Sequence, residues 1–144
     1  AREVEAAQGL ARPLSLVILD VDDFKLINDA HGHPGGDEVL RRLARLISVS
    51  ARGGDFPCRY GGEEFALILP GAARKNAVDV AERIRTGFEG QVFPFEPGWD
   101  LRITVSLGVA ELKPGETAAG LLDRADQALY QAKRKGKNRT VAAE

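Results

Sequence analysis

The sequence predicts an α/β protein of the α+β kind, in which a mixed, partly antiparallel central sheet carries helices on its faces. Strand-like apolar runs alternate with amphipathic helical segments along the 144 residues. The run 14–19 is continuously apolar, which is typical of a strand covered on both faces. Two further strand-like runs are joined directly at Gly61-Gly62, so they must be antiparallel, and a fully parallel sheet is excluded.

Length and composition fit one domain over residues 1–144, since 44% of the residues are hydrophobic. The net charge of -1 gives no general attraction to nucleic acid or to an anionic membrane surface. No apolar run is long enough to span a bilayer, and the single cysteine excludes an internal disulfide. We therefore expect a cytoplasmic segment without membrane contact. Because the chain lacks methionine, we expect it to be a piece of a longer signalling protein whose N-terminal regions would carry any membrane anchor.

Apolar spacing predicts the elements of the first third of the chain. Helical spacing indicates the end of a helix over 1–11, and the buried strand over 14–19 follows it. A short helix is expected over 23–30, and the Gly- and Pro-rich segment 31–36 breaks it. A longer helix over 37–50 has its apolar residues on one face.

A β-hairpin is predicted next. Phe56–Tyr60 would pair with Phe65–Leu69, and the adjacent Gly61 and Gly62 suit the positive φ angles of a tight turn. Glycine also leaves no side chain between the backbone and an approaching ligand. The turn is followed at once by two glutamates, so its tip presents negative charge.

The next segment contains a helix and a strand. Amphipathic spacing predicts a helix over 76–88, and a turn is expected at Pro97-Gly98. Strict alternation over 101–110 predicts a half-buried strand with one apolar face.

The last predicted elements are a helix and a short strand. Thr117 is suited to cap the helix, and Gly136 is suited to end it as a C′ glycine. Basic residues at this helix end complement the helix dipole. A short edge strand is expected over 140–142.

Asp20 is an unusual residue because it closes the buried first strand. A carboxylate there is unfavourable unless it is paired or hydrogen-bonded, so it could serve an arginine or cap the next helix. If the hairpin lies beside this strand, Asp20, Glu63 and Glu64 converge at one edge of the sheet. Such hard oxygen donors suit Mg²⁺, with Mn²⁺ as the alternative ion, and point to nucleoside triphosphate chemistry.

Several strings, taken together and in order, resemble the GGDEF family of diguanylate cyclases, with the central string in its GGEEF variant. The resemblance covers nearly everything from Leu14 to Arg139. The matching strings are 20–29, 32–33, 36–37, 59–65, 104–109, 125–133 and 136–139.

The resemblance implies a palm-like fold, similar to nucleotidyl cyclases and polymerases, that condenses two GTP molecules into cyclic di-GMP and two pyrophosphates. Each domain would bind one GTP, so two copies would meet face to face in a homodimer. This homodimer could be transient. Asp20 and Glu63 would hold two Mg²⁺ ions with help from the carbonyl of Val21. Glu64 would be a further metal or catalytic carboxylate.

The resemblance also assigns the guanine site. Asn28 and Asp37 match the family's guanine-reading pair, and a carboxylate suits the N–H donors of guanine. Taken alone, they would be a helix terminator and a helix N-cap. His33 would support the guanine loop, and Gly61 and Gly62 would lie against the substrate.

Cations and a second site complete the resemblance. Lys133 and Lys137 would lie near the triphosphate, and Lys137 replaces the commoner arginine, which loses its planar fork. Arg52 and Asp55 match an Arg-x-x-Asp string that marks an inhibitory site for cyclic di-GMP, with Arg83 as a helper. The alternative for these residues is a surface salt bridge.

Three other functions remain as alternatives. A catalytically silent module that binds GTP or cyclic di-GMP would have a damaged central string, which is intact here. A cyclase that accepts ATP is disfavoured by Asp37, and a structural spacer would leave Asp20 unexplained.

Overall fold

The computed structural model describes residues 4, 6–7, 12–96 and 99–144. The helices are α1 (Phe24–Ser50), α2 (Arg74–Glu89) and α3 (Ala118–Arg134). The strands are β1 (Leu14–Val21), β2 (Phe56–Arg59), β3 (Glu64–Pro70), β4 (Phe93–Glu96), β5 (Trp99–Leu101), β6 (Val105–Glu111) and β7 (Thr140–Ala142). None of the described helices is long and apolar enough to cross a membrane.

The main sheet has five strands in the order β2-β3-β1-β6-β7, and β4 and β5 form a separate two-stranded sheet. Strand β1 lies at the centre and is antiparallel to both β3 and β6, whereas β6 and β7 are parallel. The predicted mixed, partly antiparallel sheet is confirmed. The same is true of the tight antiparallel pairing of β2 with β3, in which Phe56 lies opposite Ile68 and Arg59 opposite Phe65.

Strand β1 is covered on both faces, as its apolar run predicted. Its alternate residues Val17, Leu19 and Val21 belong to one core with α1 and α2. The intervening Leu16 and Ile18 belong to the second core with α3. Because Asp20 follows directly after Leu19, it lies at the edge of the sheet where β1 ends and where the antiparallel strands β3 and β6 begin.

Strand β6 is more deeply buried than its alternating sequence indicated, and it begins at Val105 instead of residue 101. Every residue from Val105 to Ala110 is buried. The second face is formed by the small residues Ser106, Gly108 and Ala110, because α3 packs directly upon it. A Cβ at Gly108 would lie 2.3 Å from the carbonyl oxygen of Ala125.

The predicted break in the first long helix is confirmed, but the bounds of the second part were wrong. Within α1 only Gly32 leaves the helical conformation, with φ 72° and ψ 175°. The helix resumes before Asp37 and includes Pro34, which is tolerated in a first helical turn. The Thr117 cap is confirmed by a 3.1 Å hydrogen bond from the Gly120 amide.

Some predicted elements lie partly or wholly outside the described residues. The turn at Pro97-Gly98 is outside them, and so is most of the helix end over 1–11. Of that segment, Val4, Ala6 and Ala7 are helical, and Val4 and Ala7 are buried against the second core.

We expect Gly108→Ala to lower the free energy of unfolding by about 1–3 kcal/mol, because the new methyl group would overlap main-chain atoms of α3. Urea unfolding followed by circular dichroism measures this effect. The matched control is Gly53→Ala, where a Cβ would meet nothing within 4 Å. Equal unfolding midpoints for the two variants would contradict this account of the close approach.

Candidate active site

The predicted meeting of Asp20 with the two hairpin glutamates is present in the structure. Asp20 lies opposite Glu64 in the β1–β3 register, and Glu63 precedes β3 directly. The side chain of Asp20 is only 20% exposed. Its Oδ1 atom is buried and has no hydrogen-bond partner in the described part of the chain. A buried carboxylate oxygen without a partner is unfavourable, which makes it a candidate ligand atom.

The electrostatics of Asp20 follow from this crowding. Burial raises its pKa from 3.8 to about 7, and the charges of Glu63 and Glu64 act in the same direction. Lys133 opposes the shift, with its Nζ 3.8 Å from Oδ2 of Asp20. A hydrogen bond with Glu63 also raises the pKa of Asp20, so these two carboxyl groups are close neighbours.

These acids suit a metal ion that takes only part of its coordination shell from the protein. Among the described residues, no cluster of three or more His, Cys, Asp or Glu side chains is arranged to hold a metal ion. Mg²⁺ commonly takes one or two carboxylates and completes its octahedron with phosphate oxygens and water. The unpartnered Oδ1 of Asp20, the carboxylate of Glu63 and the carbonyl of Val21 supply such a partial oxygen set.

The glycine turn has a different construction from the predicted one. Neither Gly61 nor Gly62 has a positive φ, so the positive-φ explanation for this pair was wrong. The carbonyl of Glu64 instead accepts hydrogen bonds from the amides of Tyr60 and Gly61, at 2.8 and 3.1 Å. The guanidinium of Arg59 donates to the carbonyls of Gly61 and Gly62, at 3.2 and 2.6 Å.

The space around the two glycines differs, and it accounts for a glycine at Gly61 only. A Cβ at Gly61 would lie 2.8 Å from Oε1 of Glu64, whereas a Cβ at Gly62 would meet nothing within 4 Å. The bare backbone at Gly62 is therefore open to an approaching molecule. This supports the expectation that the turn admits a ligand close to its main chain.

Asn28 and the start of the second half of α1 lie in contact. A Cβ at Gly36 would be 1.8 Å from Oδ1 of Asn28, so only glycine fits beside this side chain. That Oδ1 is buried and, within the described residues, has no hydrogen-bond partner. Asp37 follows Gly36 and is exposed, and His33 is exposed at the helix break.

A cleft of about 580 Å³ lies between α1 and the hairpin. Its lining includes Asp37 and Leu40 of α1 together with Arg59 and Phe65 of the hairpin. The cleft is large enough for a nucleotide base and combines a carboxylate with apolar surface. It does not include Asn28 among its lining residues.

Lys133 reaches the acids from the opposite layer. Its Nζ donates to Oδ1 of Asp22 at 2.8 Å and to the carbonyl of Val21 at 3.4 Å. Lys133 was predicted to lie near the triphosphate, which stays a prediction; in the structure its nearest partner is Asp22.

Asp22 is the residue that the sequence analysis missed. It is 4% exposed, and its carboxylate also accepts hydrogen bonds from Thr104 at 2.7 Å and from Ser106 at 2.6 Å. Burial alone would raise its pKa, but the hydrogen bonds from Lys133, Ser106 and Thr104 outweigh burial and hold the pKa below its usual range. The period-two spacing of Asp20 and Asp22, which places both on one face of a strand, was an available signal.

The second lysine lies at the start of α1. Nζ of Lys137 donates to Oδ1 of Asp23 at 2.5 Å, and this contact raises the pKa of Lys137. Asp23 precedes α1 but makes no side-chain cap to it. Lys133 and Lys137 therefore lie on two sides of the segment that joins β1 to α1.

Arg52 and Asp55 form a closed turn after α1. The carboxylate of Asp55 accepts a 2.8 Å hydrogen bond from the amide of Arg52 and lies 3.5 Å from Nε of the same residue. The Arg52 side chain is 54% exposed, whereas the Asp55 side chain is 2% exposed. Arg83 is exposed on α2, and in the described part of the chain no hydrogen bond or ion pair joins it to Arg52 or Asp55.

Comparison with known proteins gives a family match over almost the whole chain. The family described as "Diguanylate cyclase, GGDEF domain" matches residues 1–139. The response regulator PleD of Caulobacter vibrioides is 47% identical over 131 residues, which are 90% of this chain and 29% of PleD. The diguanylate cyclase DosC of Escherichia coli is 40% identical over 96% of this chain and 30% of DosC. The chain thus spans less than a third of these relatives.

Solved structures of related domains share this fold. The GGDEF domain of DgcB from Caulobacter crescentus, in complex with c-di-GMP, superposes with a TM-score of 0.94 and 40% identity, covering 98% of this chain and 84% of that one. The active GGEEF domain of a diguanylate cyclase from Vibrio cholerae gives a TM-score of 0.93 and 40% identity, covering 99% of this chain and 90% of that one.

We expect Asp20→Asn to stabilise the metal-free chain at pH 8 but to have little effect at pH 5. The pKa of Asp20 is raised in the fold, so the wild-type chain loses stability as pH rises between about 4 and 7. The amide of asparagine does not titrate in this pH range, so the stability of the variant lacks this dependence on pH. Thermal unfolding in EDTA at both pH values measures the difference, and an equal shift at pH 5 and pH 8 would contradict the raised pKa.

Proposed function

The chain belongs to the GGDEF family of diguanylate cyclase domains, and from this premise we propose that residues 1–144 form one catalytic domain that condenses two GTP molecules into cyclic di-GMP. The observation that carries this proposal is the buried Oδ1 of Asp20, which has no hydrogen-bond partner among the described residues and lies beside Glu63 and Glu64. Three acids at one sheet edge, with Lys133 near Asp20 and Lys137 at the neighbouring Asp23, are suited to a metal-bound triphosphate.

The acids would hold the metal. Asp20, Glu63 and the carbonyl of Val21 are suited to bind two Mg²⁺ ions, and Glu64 is a further carboxylate at the same edge. When bound, these ions supply positive charge at the reacting phosphate and lower the pKa of the attacking hydroxyl. In the GGEEF form of the string, Glu63 stands where GGDEF has an aspartate, and it carries its carboxylate one methylene farther from the backbone.

The reaction is an in-line displacement at phosphorus. The 3′-hydroxyl of one GTP attacks the α-phosphorus of the other, a P–O bond forms, and the bond to pyrophosphate breaks. The hydroxyl proton passes to Glu63 or to a water beside it. A second displacement of the same kind closes the ring and releases the second pyrophosphate.

The guanine end lies along α1. Asp37 presents an exposed carboxylate to the cleft, where it can accept from the N–H donors of guanine. Asn28 has a buried Oδ1 for which the described residues offer no hydrogen-bond partner. This atom lies against Gly36, the residue directly before Asp37. Adenine would leave these acceptors unpaired, which is the physical basis for rejecting it. His33 lies at the helix break and would support this loop.

The phosphate end lies between the lysines. Lys133 and Lys137 face the β1–α1 connection from α3 and from the loop after it. The start of α1 adds the positive end of a helix dipole, which favours phosphate. The bare backbone of Gly62 leaves room for the triphosphate to approach the turn.

A symmetric dimer and a product site complete the proposal. One domain would bind one GTP, so a two-fold pair, permanent or transient, brings two substrates together. The exposed Arg52 guanidinium, with Asp55 behind it, is suited to a guanine edge or a phosphate of cyclic di-GMP, and Arg83 would assist. A relative of similar fold, the DgcB domain, was solved in complex with c-di-GMP.

The decisive experiment incubates the purified chain with GTP and Mg²⁺ and separates the products by chromatography. We expect cyclic di-GMP and pyrophosphate, and we expect Glu63→Gln to lower the rate by at least about 10²-fold, because an electrostatic group at the reacting phosphate is removed. The matched control is Asp123→Asn, which neutralises an exposed carboxylate on α3. GTP binding without any product would instead favour a silent binding module.

We expect added cyclic di-GMP to slow turnover of the unaltered chain and to have a much weaker effect on Arg52→Ala. The reason is that the variant loses the exposed guanidinium that would contact the product. Initial rates at increasing product concentration measure the inhibition constant. Arg45→Ala, which removes another exposed arginine from α1, is the control. Equal inhibition of all three chains would exclude Arg52 from the product site.

A further inference from the structure

The loop after α3 has an uncommon backbone. Three successive residues have positive φ angles: Gly136 at 123°, Lys137 at 65° and Asn138 at 46°. Glycine adopts this region freely and asparagine tolerates it, but lysine rarely does. Such a conformation persists only where surrounding contacts over-determine it, and it is concentrated at functional sites.

Asn138 provides those contacts. Its amide donates to Oδ2 of Asp22 at 3.0 Å, and its Nδ2 donates to Oε2 of Glu89 at 2.6 Å. Its Oδ1 accepts from the guanidinium of Arg85 at 3.1 Å. Arg85 is itself fixed by a two-pronged contact with Glu82, at 2.8 and 2.9 Å. One half-buried asparagine therefore joins the loop to the end of β1 and to helix α2.

The two lysines lie on either side of this junction. Lys133 shares Asp22 with the amide of Asn138, because each donates to a different oxygen of that carboxylate. Lys137 directly precedes Asn138, and its main chain is fixed by a 3.0 Å hydrogen bond from its amide to the carbonyl of Ala132. The position of Lys137 is thus set by a glycine on one side and by Asn138 on the other.

We propose that Asn138 is a positioning residue, which ties the loop of residues 136–139 to Asp22 and to α2 and thereby fixes Lys137 where the triphosphate would bind. This inference rests on the proposed function. Asn138 acts through Lys137, and its own side chain is directed to α2 and not to substrate. Its loss would therefore weaken binding of the β- and γ-phosphates and leave recognition of guanine unchanged.

Binding of two nucleotides separates this role from a general structural one. The probes are GMP and the α,β-methylene analogue of GTP, which has three phosphates but cannot release pyrophosphate at that bridge. Calorimetry with Mg²⁺ gives both dissociation constants for each chain. We expect Asn138→Ala to weaken binding of the analogue about 10-fold, the loss of about one charge-assisted contact, with little change for GMP.

Matched variants support the measurement. Lys135→Ala removes a neighbouring exposed positive charge from the same helix end and should leave both constants unchanged. Asn138→Gly accepts the same backbone angle without a side chain, so it should show the selective loss even if the alanine variant folds poorly. In a Lys137→Ala background, Asn138→Ala should add little, because both changes remove the same interaction.

The binding measurements test the role of Asn138 separately from the proposed cyclase function. Equal weakening of GMP and analogue, no weakening of either, or additive losses in the double variant would overturn the positioning role while the cyclase proposal stands. Failure of the unaltered chain to bind the analogue would overturn the proposed function, and this inference with it.

Discussion

The buried carboxylate of Asp22 is the contact on which the rest of this site depends. It accepts hydrogen bonds from Thr104, Ser106, Lys133 and the amide of Asn138, and these four donors come from the start of β6, from α3 and from the loop after α3. A buried carboxylate with fewer partners would be strongly unfavourable. The β1 end, the β6 start, α3 and the C-terminal loop are therefore held to one point.

Asp20 and Asp22 show how environment separates two identical side chains. They lie two residues apart, Asp20 within β1 and Asp22 directly after its last residue, and Lys133 is near both. Hydrogen-bond donors hold the pKa of Asp22 below its usual range, whereas burial, reinforced by Glu63 and Glu64, raises the pKa of Asp20 to about 7. One acid is thus stably ionised and structural, and the other gains from a cation that enters the site.

The sequence was sufficient for the main helices and for the mixed character of the main sheet, because these follow from local periodicity and from one tight turn, but it did not predict the separate β4–β5 sheet. It was insufficient where distant parts of the chain meet. The full burial of β6 depends on α3 touching Gly108, and alternation alone gives no sign of that contact. The roles of Asp22 and Asn138 depend on partners up to 116 residues away. At Gly61 the space beside Glu64, and not a positive φ, explains the glycine. Asp20, Glu63 and Glu64 were predictable because strand order alone brings them together.

The pairing of both lysines with aspartates bears on how phosphate could bind. Lys133 contacts Asp22 and Lys137 contacts Asp23, so each cation is already partly neutralised. An ammonium group has three donors, and a single carboxylate contact leaves others for phosphate oxygens. The Lys137 side chain is 43% exposed and the Lys133 side chain is 23% exposed, so both are accessible from solvent. A lysine held by an aspartate keeps less side-chain freedom to lose on binding, which lowers the entropic cost of phosphate capture. The aspartates therefore restrain the two lysine side chains and leave some of their N–H donors available for phosphate.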